Sequence, residues 1–76
     1  MKITGTRSYI LVEFDYRTVK IAGELTVGAI FYAYSGSINN WQPPYENSKI
    51  TEEEKSEIIS DVLKQNNTDF KIVFEE

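Results

Sequence analysis

Pro43 and Pro44 stand side by side past the middle of a 76-residue chain, and they are its only prolines. Neither offers a backbone N–H, so the pair cannot sit inside a helix or a central strand. The residue before each proline is held in extended geometry. Residues 39–50 are therefore expected as a stiff loop between two ordered parts. That loop also holds the only tryptophan, Trp41, with Tyr45 and Glu46 close behind and three consecutive glutamates, Glu52 to Glu54, just beyond. Trp41 has two readings, a plug for one end of a small core or an exposed anchor for a partner, and they are compatible.

Before the loop, period-two patterning predicts strands. "SYILVEF", residues 8–14, alternates Ile10, Val12 and Phe14 with Tyr9, Leu11 and Glu13. Asp15-Tyr16 connects it to "RTVKIA", residues 17–22, and Gly23-Glu24 is expected as a second turn. "LTVGAIFYAY", residues 25–34, is apolar on both sides and reads as a central strand.

After the loop the pattern changes to a helix. Thr51 and Glu54 have the spacing of a capping box, and Glu52, Glu53 and Glu54 place negative charge where the helix dipole favours it. Ile58, Ile59, Val62 and Leu63 form an apolar stripe opposite Glu53, Glu57, Asp61 and Lys64, which predicts a helix over 52–65. "QNNTD" is expected to stop it, and a strand over 70–75 closes the chain, with Phe70, Ile72 and Phe74 on one face. The fold expected is α+β, in one domain spanning 1–76. It has a single small antiparallel-rich sheet in the order β-β-β-α-β, with one amphipathic helix packed on one face. Ile10, Val12, Phe14, Val19, Ile21, Phe31, Ile72 and Phe74 should face Ile58, Ile59, Val62 and Leu63. Tyr9, Leu11, Tyr32, Tyr34 and Val73 should share the other side of the sheet.

Composition narrows the chemistry. The chain has no cysteine and no histidine, which removes disulfides, thiolate ligands, imidazole bases and the usual nucleophilic triads. Catalysis is not expected, and neither a cofactor nor a metal is implied, because the carboxylates fall at helical rather than metal-loop spacing. No apolar run is long enough to span a membrane, and the N-terminus lacks a secretory h-region, so a cytoplasmic protein is expected. Residues 1–38 balance at +1 and the remainder at −5. Such acidity disfavours nucleic acid and favours basic partners.

The order "RSYILVEFD", "RTVKIAGEL", "NNWQPPYENSKITEEEKSEII" and "FKIVFE" resembles, over essentially the whole chain, a family of small immunity proteins from bacterial polymorphic-toxin and contact-dependent growth inhibition systems. The Trp-Gln-Pro-Pro-Tyr-Glu-Asn segment leading into Ile-Thr-Glu-Glu-Glu is its most specific part. The resemblance implies a partner, the C-terminal domain of a cognate toxin, often a basic nuclease, whose active site or substrate groove the protein would occlude. Trp41, Tyr45 and Glu46 of the loop and Glu53, Glu57 and Asp61 of the helix are the candidate contact residues. The aromatics would anchor and the carboxylates would steer. A second reading is a non-catalytic module that self-associates through its outer sheet face; a monomer or weak homodimer is expected for the free chain.

Overall fold

The structure, a computed structural model, describes residues 1–65 and 71–75. It is an α+β fold: one five-stranded sheet in the order β1-β2-β3-β4-β5, with a single α-helix among the described residues. β1 is Lys2–Gly5, β2 Tyr9–Glu13, β3 Thr18–Thr26, β4 Ile30–Tyr34 and β5 Lys71–Glu75, with α1 over Glu52–Lys64 between the last two. The first three pairings are antiparallel, and β5 lies parallel to β4. A parallel pair needs a crossover, and α1 provides it.

The expected helix is found with its capping box intact. Thr51 Oγ1 accepts from the Glu54 N–H at 3.1 Å, and Glu54 Oε1 accepts from the Thr51 N–H at 3.0 Å. Gln65 caps the far end; the expected stop at residues 66–69 and the strand residue Phe70 lie outside the described residues. Ile58 and Val62 pack into the core with Ile10, Val12, Val19, Ile21, Phe31 and Ile72, while Phe14, Ile59 and Phe74 are half-buried against it. Leu63, expected inward, is instead 44% exposed. It sits at the edge of a stripe that a sheet this small cannot cover fully.

Three strand expectations are corrected. β1 is an additional edge strand; Ile3 alone of its residues is half-buried, so the segment has no alternation to betray it. Gly23-Glu24 is not a turn, because β3 runs straight through it. Gly23 is required there by close packing: a Cβ would meet the Tyr32 carbonyl oxygen, and the Phe31 ring at 2.5 Å. The reversal falls instead at Val27-Gly28-Ala29, where Gly28 (φ 94°) and Ala29 (φ 60°) are both left-handed. Leu25 therefore belongs to the end of β3, which closes at Thr26, and Val27 is fully exposed rather than part of a central strand.

β3 is flanked differently along its length. β4 pairs only with residues 23–26 of β3. A short 3₁₀ turn, Ser35–Ser37, then carries the chain past Ala22, whose N–H donates to Ser37 Oγ at 3.0 Å. Trp41 resumes pairing opposite Val19, and the Gln42 N–H donates to the Thr18 carbonyl at 2.9 Å. The proline loop is thus stitched to the sheet at its entrance. It closes on itself through the Asn40–Lys49 bridge and through Asn40 Nδ2 donating to the Glu46 carbonyl at 3.1 Å. The Pro43–Pro44 peptide is cis.

Candidate functional site

The connection between β2 and β3 is a four-residue turn, Phe14 to Arg17, closed by the Phe14 N–H donating to the Arg17 carbonyl at 2.8 Å. It leaves Tyr16 at the tip, 68% exposed, and turns Arg17 back toward Trp41. Trp41 is 4% exposed, so the plug reading of its indole is the one observed. Phe14 meets it edge-on, with centroids 6.1 Å apart and planes at 83°. The Arg17 guanidinium lies 4.0 Å above its ring and 5.2 Å from the Tyr16 ring, a stacking that draws on the negative face of each aromatic. The Trp41 Nε1–H is buried without an acceptor among the described residues.

Helix α1 forms the opposite wall. Glu54, Glu57 and Asp61 follow each other at spacings of three and four, with Ile58 four residues past Glu54, so they share one stripe. Together with Phe14, Asp15, Tyr16, Arg17 and Trp41 they enclose an open cleft of about 220 Å³. Arg17 bridges the two walls by pairing with Glu54 at 3.3 Å, a partly exposed contact worth about 0.2–1 kcal/mol.

Four carboxylates of the lining, Asp15, Glu54, Glu57 and Asp61, thus face one guanidinium. Arg17–Glu54 is the only ion pair among the described residues. The carboxyl of Glu54 is held below its ordinary range. The first cause is the Thr51 backbone N–H bonded to it; the Thr51 hydroxyl and Arg17 add to that, and partial desolvation opposes it. Among the described residues no group of three acidic side chains is placed to hold a metal ion. What the arrangement offers is a hollow with aromatic walls and surplus negative charge, chemistry suited to a cationic side chain.

Of the residues selected from the sequence, Trp41, Glu57 and Asp61 come together in this cleft. Tyr45 stands beside it, its ring edge-on to Tyr16 at 5.7 Å. Glu46, on the far part of the loop, and Glu53, in the first turn of α1, are exposed but outside the lining. Tyr16, Arg17 and Glu54 were not anticipated as site residues. Glu54 reads as a helix cap from the sequence, and Arg17 meets it only through folding. The one local hint is tyrosine following Asp15, where a tight two-residue turn would favour glycine.

No curated protein and no solved structure matches the chain. A family model described as Immunity protein 74 matches residues 2–75. A match over nearly every residue settles the family: the chain belongs to Immunity protein 74.

Proposed function

We propose that the protein neutralises a cognate bacterial toxin by binding its C-terminal domain, and that the cleft and its rim make the contact. The observation that carries this is the gathering of four carboxylates and the Tyr16, Tyr45 and Trp41 rings at and beside one cleft. Surface acidity alone would scatter; here it borders a shaped hollow. Asp15, Glu57 and Asp61 are the surplus charges that would meet lysine or arginine side chains of a basic toxin. Tyr16 and Tyr45 would be the exposed anchors, and the buried Trp41 would fix the wall behind them.

Inhibition on this reading needs no chemistry by the inhibitor. A nuclease-type toxin presents a basic groove for phosphates, and an acidic rim seated there excludes the substrate sterically. The charge also speeds encounter. The site of action would be the cytoplasm of the producing cell, before the toxin leaves it. The test is co-expression with the toxin C-terminal domain encoded beside this gene, scoring growth and co-purification. Rescue with a stable complex is expected. Continued killing without a complex would sink the proposal.

A further inference from the structure

Helix α1 covers the face of the sheet that carries Ile10, Val12, Ile21 and Ile72. Strand register places Tyr9, Leu11, Ala22, Tyr32 and Val73 on the other face. All of these are half-buried, and among the described residues α1 is the only α-helix. The centre strand of the five is β3, and its outward residues are Thr18, Lys20, Ala22, Glu24 and Thr26. About Ala22 this series has equal residues at its ends and opposite charges between. Lys20 and Glu24 are both exposed.

We infer that a second copy of this chain covers this face, with the two sheets packed antiparallel about a twofold axis that crosses β3 at Ala22. An isologous contact brings each residue against the one related to it by the axis. With the axis perpendicular to β3 and in the plane between the sheets, Lys20 stands over the second copy's Glu24, and its Glu24 over the second copy's Lys20. The other face-to-face twofold, along β3, would stack Lys20 on Lys20 and Glu24 on Glu24. The charge order therefore selects one arrangement and disfavours the other.

The surroundings fit a sheet-on-sheet contact. Tyr9 is paired beside Ala22, and Tyr32 beside Glu24 with Val73 beyond. A small residue on the axis, with Tyr9 beside it and Tyr32 nearby, allows the roughly 10 Å approach of packed sheets. The Lys20 ammonium already lies 4.3 Å over the Tyr9 ring, which holds it on this face. The acidic cleft is lined from α1, the β2–β3 turn and Trp41, so such a dimer leaves both clefts open.

Sedimentation velocity of the full chain, from about 1 μM to about 1 mM, tests this across the range of weak dissociation constants. The wild type should shift from monomer to dimer as concentration rises. Lys20→Glu and Glu24→Lys should each weaken the dimer about tenfold or more, because each sets like charges face to face. The double reversal Lys20→Glu/Glu24→Lys should restore it. Both positions are exposed, so circular dichroism should show all three variants folded. A wild type monomeric throughout overturns the inference, as does a dimer indifferent to the reversals. A monomer whose Lys20→Glu variant loses the toxin also overturns it and assigns the face to the toxin.

Discussion

Replacing Trp41 by alanine tests how the proline loop is held. The indole is almost fully buried between Phe14 and Arg17, and its backbone pairs with Val19. A buried tryptophan removes about 150–250 Å² from water, which at roughly 25 cal/mol per Å² is worth about 4–6 kcal/mol. Truncations of this kind cost about 3–5 kcal/mol once the site relaxes. A domain of this length has about 4–11 kcal/mol of stability in all, at roughly 0.05–0.15 kcal/mol per residue. Trp41→Ala should therefore stand at the edge of unfolding. Trp41→Phe should behave differently. It keeps an aromatic wall under Arg17, and the Nε1–H it deletes has no partner among the described residues to lose. An unsatisfied buried donor costs about 1–3 kcal/mol, so its removal offsets part of the lost volume and the net cost should stay under about 2 kcal/mol. Urea unfolding followed by far-ultraviolet circular dichroism measures both variants. A cost below about 1 kcal/mol for the alanine variant, or equal costs for the two, would refute the plug.

Other expectations concern the helix cap and the close approach at Gly23. Thr51→Ala should cost about 1 kcal/mol by loss of the capping box. The folded state holds Glu54 below its ordinary pKa of 4.5, so its contribution is present above that pH and is lost as the pH falls through the folded value. Glu54→Gln should flatten that acid limb in pH-dependent unfolding; an unchanged limb would show that the bonds from Thr51 and Arg17 do not matter. Gly23→Ala should cost about 1–3 kcal/mol through the clash with Tyr32 and Phe31. Gly36→Ala, which meets open space, should stay within about 0.5 kcal/mol of wild type; similar losses at both sites would contradict the packing.

The parts legible in the sequence are those where one local signal and the tertiary environment agree. Ile10/Val12 and Val19/Ile21 alternate because one face of each strand meets α1. Thr51 and Glu54 cap a helix whose apolar stripe points the same way. The misses arise where one residue serves two ends. Gly23 reads as a turn because glycine usually punctuates, yet it is there to let Tyr32 and Phe31 come close. β1 shows only Ile3 to the interior and gives no period to detect. The site follows the same logic. Glu57 and Asp61 stand out by helical spacing, whereas Arg17 acquires its place from Trp41 and Glu54, both distant in sequence, and no local pattern encodes that meeting.

The central claim is that the toxin lands on the acidic cleft. The most direct measurement is stopped-flow association of the toxin C-terminal domain with the wild type and with Asp15→Asn/Glu57→Gln/Asp61→Asn, each at low and high salt. The account predicts a folded variant that associates about tenfold or more slowly at low salt, with a flattened salt dependence. An unchanged rate and an unchanged salt slope would contradict it and place the contact elsewhere.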